Sequence, residues 1–171
     1  MGGMDRILDI GWASARDLMR AARSASDDYD RCERQLLALR ARAESLGGGQ
    51  AGATSGTHPH DSLERRVVAL ADRERDLEGR KARDEQVIDA ACEMLFGGEG
   101  SEWREGLSSL VPTFWCEALW WHYLQGETWA QVGRTLNYSA SHLKACARQA
   151  LETADAYGLA TVAAGQGIAE T

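Results

Sequence analysis

Side chains suited to chemistry are concentrated in one short stretch near the end of the 171-residue chain. Hydroxyl, imidazole, ammonium and guanidinium groups recur there at spacings that place them on the outward side of a helix. Such groups donate hydrogen bonds to phosphate oxygens and reach base edges in the major groove. The pattern therefore predicts contact with double-stranded DNA, and the candidate residues are Arg134, Ser139, Ser141, His142, Lys144, Ala145 and Arg148.

The candidate residues divide into two roles by position and side-chain length. A helix that enters the major groove usually reads bases with its N-terminal half. Ser141, His142 and Ala145 are therefore predicted near base edges, and Ser139 is predicted to cap the helix. The long cationic side chains suit the DNA backbone, and the predicted phosphate contacts are Arg134, Lys144 and Arg148.

Other residues capable of chemistry form no recognisable site in the sequence. Zinc ligands cluster at short spacing, whereas the four cysteines are far apart: Cys32, Cys92, Cys116 and Cys146. His58 and His60 lie in a Gly-rich stretch, and His122 follows two tryptophans, where a partly buried histidine is favoured over a general base. Neither a P-loop nor a dinucleotide-binding glycine motif occurs. No enzyme, metal or cofactor is therefore expected.

Three short helices would hold the candidate residues in place. Pro112 suits the first turn of a helix that runs to Leu124. A second helix would begin at Glu127 or Thr128, and its apolar face is Trp129, Val132, Gly133 and Leu136. The third helix follows Ser139, and its predicted buried stripe is Leu143, Cys146, Ala147, Ala150 and Leu151.

The second and third helices are expected to meet at a sharp corner, Asn137-Tyr138. Asparagine accepts the left-handed backbone conformation that such a corner needs. Two helices crossing at about 90–120° through so short a turn need a small residue where they touch. Gly133 is that residue, and alanine is expected to serve there as well.

Two long helices are predicted before this region. Apolar residues step by three and four from Met4 to Leu46, so residues 1–46 are predicted to form a first coiled-coil helix. Residues 47–60 are a flexible Gly-rich linker. Residues 61–96 form the second coiled-coil helix, whose seam is interrupted by Glu74, Lys81 and Asp84. An antiparallel hairpin within one chain is expected, and pairing between chains is the alternative.

The predicted fold class is all-α, with a long antiparallel helical hairpin (coiled coil) followed by a small helix-turn-helix bundle. The bundle spans residues 101–157 and includes a short helix over 102–110, capped by Ser101. Its many aromatic side chains are interpreted as core rather than as a base-stacking platform, because a small domain needs large buried side chains. Residues 158–171 are predicted to be a flexible tail.

The charge distribution limits how tightly such a bundle could bind DNA. The chain carries a net charge of −7, and residues 127–157 hold three acidic and three basic groups. Because DNA affinity depends strongly on phosphate neutralisation, a neutral helix is expected to bind weakly as a monomer, which predicts a homodimer through the coiled coil. No long apolar run or secretory signal is present, so a cytoplasmic location without membrane contact is expected.

The segment around the corner resembles the fourth region of sigma-70-type factors. The resemblance rests on Tyr123-Leu124, Gly126, Thr128-Trp129, Val132-Gly133, Leu136, Tyr138-Ser139, Leu143 and Ala150-Leu151. It is closer still to the sigma-like regulators of phages and prophages, of the ArpU/RinA kind, which also carry a long charged helical region before the motif. By position, the resemblance makes Ser139 to about Tyr157 the recognition helix. The chain departs from the pattern in having Gly133 where alanine is common, few basic residues on that helix, and a long first helix.

The resemblance implies a sequence-specific DNA-binding transcription regulator, one that controls phage late genes and contacts RNA polymerase. Two alternatives are kept. One is a phage DNA-packaging or scaffold-type protein that binds DNA only as a larger assembly held by the coiled coil. The other is a protein–protein interaction module, in which the acidic hairpin and the Trp-rich bundle bind another protein.

Overall fold

The computed structural model describes residues 11–47, 59–98 and 106–164, and every regular element in those ranges is helical. The elements are α1 (Ala15–Gly47), α2 (Pro59–Phe96), a 3₁₀ turn (Leu107–Ser109), α3 (Thr113–Leu119) with a π-helical continuation (Trp120–Leu124), α4 (Trp129–Leu136), α5 (Ala140–Tyr157) and α6 (Leu159–Ala163). The all-α prediction, a helical hairpin with a small bundle, is confirmed.

The first helix begins later than its apolar pattern suggests. The Ser14 hydroxyl accepts a hydrogen bond from the Asp17 N–H (3.2 Å) and donates one to the Asp17 carboxylate (2.9 Å), which is an N-cap. Gly11 has a left-handed φ of 66°, and residues 11–14 are not helical. The predicted helical start at Met4 lies outside the described residues. The apolar pattern of the seam therefore continues through residues 11–14, which precede the N-cap and are not helical.

Residues 28–83 form one of two compact units, in which the two long helices run antiparallel. Arg40 pairs with Glu74 (2.7 Å) and Glu78 (3.0 Å) across the helices. Farther along, Lys81 pairs with Glu33 at 3.1 Å. The predicted pairing within one chain is thus observed. Two of the polar residues that interrupt the α2 seam, Glu74 and Lys81, are partners in these cross-helix ion pairs.

The unit of residues 28–83 has a thin core. Among its described residues, only Cys32, Leu36 and Leu77 are buried. Large apolar side chains elsewhere on its surface are exposed, at 63% for Leu37, 45% for Leu63, 54% for Val67 and 59% for Val68. Two helices alone cannot cover both sides of an apolar seam. The helix pair therefore leaves several large apolar side chains exposed to solvent.

The second unit, residues 1–27 with 84–171, contains the main core. Its largest fully buried side chains are Leu18, Met19, Met94, Leu95, Leu107, Leu119, Leu143, Val132, Val162 and Cys116. Buried residues of α1, α2, α3, α5 and α6 share one cluster, which includes Leu18, Leu95 and Leu119. Val132 of α4 lies in a second cluster with Ala118 and Leu143. No described helix is long and apolar enough to cross a membrane.

Two local predictions about this unit need correction. The segment after residue 158 begins with a helix, α6, in which Val162 and Ala163 are buried. The Val162 carbonyl accepts a hydrogen bond from the Gly106 N–H (2.9 Å). Small apolar residues were mistaken for a flexible tail because their burial depends on distant partners. Of the predicted helix over 102–110, the described part is a 3₁₀ turn, while Ser101 lies outside the described residues.

Candidate nucleic-acid interface

The helix before the candidate interface ends in a widened π-helical turn, residues 120–124. The Gln125 N–H donates to the Trp120 carbonyl (3.1 Å), and the Glu127 N–H donates to the Trp121 carbonyl (3.1 Å). Three carbonyls at this end bind side chains of α1. Arg23 donates to His122 O (3.1 Å) and Gly126 O (3.5 Å), and Ser26 donates to Leu124 O (2.8 Å). The first turns of α1 therefore cap the helix that leads into the corner.

A capping box starts α4 at Thr128, the later of the two predicted starts. The Thr128 hydroxyl accepts a bond from the Gln131 N–H (3.4 Å). In return, the Gln131 side-chain oxygen accepts one from the Thr128 N–H (2.8 Å). Two N–H groups that the helix leaves unpaired are thus satisfied reciprocally. This fixes the entry of the chain into α4.

The corner between α4 and α5 has the predicted left-handed residue. Asn137 has φ 59° and ψ 39°, the only positive φ at a non-glycine residue in the described ranges. The Tyr138 N–H donates to the Gly133 carbonyl (3.0 Å), which closes the end of α4 in the manner of a Schellman motif. The chain therefore turns sharply between two helices at this point.

Gly133 lies directly under the start of α5. A Cβ built at this position would stand 2.7 Å from the Tyr138 carbonyl oxygen and 3.4 Å from the Ala140 nitrogen. Both contacts are with backbone atoms, so neither can be relieved by a side-chain rotation. The prediction of a small residue at this contact is confirmed. The prediction that alanine would also serve is wrong, because a methyl group does not fit unless the backbone shifts.

The two faces of α5 differ sharply. Its N-cap is Ser139, whose hydroxyl accepts a bond from the His142 N–H (3.2 Å), as predicted. The predicted stripe is buried throughout, namely Leu143, Cys146, Ala147, Ala150 and Leu151. The candidate DNA contacts are all exposed. Arg134 lies on α4, and the others lie at or after the start of α5, namely Ser139, Ser141, His142, Lys144, Ala145 and Arg148.

Two of these candidates have neighbours that constrain them. The His142 ring stacks at 6.3 Å from Phe114 and lies 5.5 Å from Tyr138, and its Nε2 is 3.5 Å from the Cys146 sulfur. Arg148 is 4.0 Å from the carboxylate of Glu152. The His142 ring therefore has contacts on Phe114, Tyr138 and Cys146, and the positive charge of Arg148 lies near an exposed carboxylate.

Tyr138 contributes a surface that the sequence reasoning missed. The sequence pattern places Tyr138 at the corner, and 44% of it is exposed. Its ring stacks on Phe114 at 4.7 Å with an interplanar angle of 15°. The tyrosine therefore stands at the corner as a supported, outward-facing ring beside His142. The sequence signal that could have revealed this surface is an aromatic residue, Tyr138, directly before the N-cap Ser139.

His122 is partly buried against Trp129, and this burial disfavours its charged form. Its Nδ1 donates to the Glu127 carbonyl (2.7 Å), and its ring stacks on Trp129 at 4.1 Å. Burial lowers the pKa of His122 below 6.5, and the nearby positive charges of Arg23 and Lys144 lower it further. The interpretation of this histidine as a partly buried structural residue agrees with these contacts.

The cysteines are suited to packing rather than to chemistry. Burial is the main cause that raises the pKa of Cys92 to about 11 and of Cys116 to about 12. At neutral pH both stay as thiols, which are poor nucleophiles and poor metal ligands. Across the described ranges, no three His, Cys, Asp or Glu side chains are grouped so that they could hold a metal ion.

No protein-family model, no curated protein and no solved structure matches the chain.

Proposed function

We propose that the chain is a sequence-specific DNA-binding transcription regulator that reads the major groove with α5. The observation that carries the proposal is the α4–α5 corner. A left-handed Asn137 and a glycine in backbone contact at 133 set a tight helix-turn-helix, in which the polar side of the second helix is open. This is the arrangement in which a helix enters a groove of duplex DNA.

Each candidate residue has a chemical role in this proposal. Ser141, His142 and Ala145 face base edges, with the imidazole pre-oriented by Phe114 and Tyr138. The phosphate contacts are Arg134, Lys144 and Arg148. The Ser139 hydroxyl accepts from its own helix, which leaves its hydrogen free to donate to a phosphate oxygen. We call one helix-turn-helix with its candidate contacts a reading head. The three cations of one reading head provide a modest electrostatic affinity for DNA.

The resemblance to phage and prophage sigma-like regulators narrows the proposal. It favours an activator or regulator that contacts RNA polymerase while its reading helix contacts a promoter-proximal site. The resemblance covers most of residues 61–157. Two functions compete with this proposal: a packaging or scaffold protein, and a pure interaction module. A chain that does not bind duplex DNA at physiological salt would favour one of these two.

A homodimer through the helical hairpin is part of the proposal, and it uses the part of the predicted seam that the chain itself leaves open. Seam residues such as Leu18, Ala22 and Leu36 are buried within the chain. The available surface is an apolar groove of about 380 Å³ between α1 and α2, lined by Leu39, Ala43, Leu46, Leu63, Val67, Leu70, Ala71 and Glu74. A second copy docked there would cover the exposed Leu63 and Val67 and bring two weak reading heads to one site.

Selection of bound sequences from random duplex DNA, at low and at physiological salt, tests the function directly. The variant Lys144→Glu with Arg148→Glu is expected to abolish duplex binding and to leave helicity unchanged. Arg16→Glu with Arg20→Glu is the matched control, because both residues are exposed on α1 and the charge change is equal. Equal DNA affinity of the two double variants would remove α5 as the reading helix.

Light scattering of the intact chain tests the dimer. Leu63→Glu with Val67→Glu is expected to convert a dimer to a monomer, since it places charges in the apolar groove. A wild-type chain that is monomeric at micromolar concentration would remove the dimer from the proposal without touching the reading helix.

A further inference from the structure

One face of the helix pair in residues 28–83 combines arginines with leucines in an unusual way. Two adjoining pockets share this face, and we call them together the arginine groove. The larger has a volume of about 440 Å³. The lining residues that could contact a partner are Arg42, Arg66 and Arg73 together with Leu39, Leu46 and Leu70. Among the described residues, no carboxylate lines either pocket, although the whole chain has a net charge of −7.

The arginines of the groove are not used to hold the two helices together. Cross-helix ion pairs in this unit are made by Arg40 and Lys81. Arg42, Arg66 and Arg73 are exposed, and within the described ranges they form no ion pair. Their guanidinium groups therefore stay available to an outside carboxylate or phosphate.

The floor of the groove is apolar, and this limits what could bind. Leu39, Leu46 and Leu70 are half-buried along it, so part of each side chain still faces solvent. A nucleic-acid backbone would use the arginines but would leave the leucines uncovered. An amphipathic helix covers both, with apolar side chains on the floor and carboxylates toward the arginines. The combination thus favours a protein partner over nucleic acid.

The spacing of the arginines sets the repeat of the partner. Arg66 and Arg73 are seven residues apart on α2, which is about 10.5 Å or two helical turns. Carboxylates at i and i+7 of a docked helix would meet them, and Arg42 lies across the groove on α1. Leucines of the docked helix, placed between those carboxylates in its sequence, would contact the apolar floor of the arginine groove.

We propose that the arginine groove of residues 28–83 is a docking site for an acidic amphipathic helix of another protein. The recognition is charge complementarity at the rim together with burial of leucine side chains on the floor. The site contains no residue of α5. It shares Leu39, Leu46 and Leu70 with the groove proposed for the second copy, so the acidic helix and a second copy compete for these leucines.

Fluorescence anisotropy with three labelled helical peptides tests the proposal on the full chain. The first carries leucines on one side with flanking glutamates, two of them at i and i+7. The second replaces every glutamate with lysine, and the third replaces every leucine with glutamine. Only the first is expected to bind the wild-type protein, since the second reverses the charge and the third removes the floor contact.

Charge reversal in the protein provides the matched comparison. Arg66→Glu with Arg73→Glu is expected to weaken binding of the first peptide at least tenfold, whereas Arg16→Glu with Arg20→Glu leaves it within twofold. The reversed groove should instead bind the lysine peptide, a gain that a misfolded variant cannot show. Circular dichroism checks that both variants stay helical.

Three outcomes would overturn the proposal. The first is no binding of the glutamate peptide to the wild type, and the second is equal binding of the glutamine-for-leucine peptide. The third is loss of duplex DNA binding, rather than of peptide binding, on reversal of Arg66 and Arg73. That result would assign the groove to the DNA backbone.

Discussion

Replacing Gly133 with alanine tests the close contact between α4 and the start of α5. On an exposed helix the change would stabilise by about 1 kcal/mol, because glycine has more backbone freedom to lose than alanine. Here the new Cβ would be 2.7 Å from the Tyr138 carbonyl oxygen. Forcing a methyl group into a packed contact costs about 1–3 kcal/mol. Because the obstacle is backbone, we expect the upper part of that range and a net loss of about 1–2 kcal/mol.

Gly79→Ala is the matched control for this substitution. Gly79 is also helical, but the nearest atom to its added Cβ is the flexible end of Arg83, at 4.0 Å. The same chemical change should therefore stabilise by about 0.5–1 kcal/mol. The two variants are predicted to shift the free energy of unfolding in opposite directions.

Thermal and urea unfolding followed by circular dichroism measures both effects. For a chain of this size, 1 kcal/mol corresponds to a shift in Tm of about 2–4 °C. Duplex binding by Gly133→Ala should also weaken, because the corner must open to admit the methyl group. A Gly133→Ala protein as stable as the wild type would refute the assigned contact and with it the tight corner.

Three further predictions follow from the same unit. Because burial lowers the folded-state pKa of His122, the unfolded chain takes up a proton at a higher pH than the folded chain does, so the free energy of unfolding should fall as the pH drops below about 6.5. His122→Gln should reduce this fall, as measured by urea unfolding at several pH values. Asn137→Ala should cost about 1 kcal/mol of stability, because alanine disfavours the left-handed corner, while Asn137→Gly should be near neutral by the same assay. For duplex DNA, three phosphate contacts predict a slope of log K against log salt of about −2.7 for one reading head and about −5.4 for two; a slope near zero in a mobility-shift titration would exclude phosphate contact.

Local signals in the sequence predicted the corner well. Asparagine at the turn, a serine cap and a glycine at the crossing each depend on residues within one or two helical turns. The buried stripe of α5 was also read correctly, because its apolar period is uninterrupted. These features need no knowledge of distant partners, and all of them are observed.

Features that depend on distant partners could not be predicted in the same way. Burial of Val162 needs the turn after α2, and the start of α1 needs the Ser14 cap together with a carboxylate far along the chain. Nothing in the sequence distinguishes Arg23 from the other arginines of α1, yet it donates hydrogen bonds to the carbonyls of His122 and Gly126. Periodicity shows which face is apolar, but not which element covers it.

The bond from the Ala15 N–H to the Asp155 carboxylate, 2.6 Å long, joins residues 140 positions apart. Such long-range pairing raises the contact order of the unit and slows the search for its folded state. On the ribosome, the first helix would emerge long before the side chain that completes its N-terminal turn. A nascent chain arrested before residue 155 is therefore expected to expose the apolar side of that helix to chaperones.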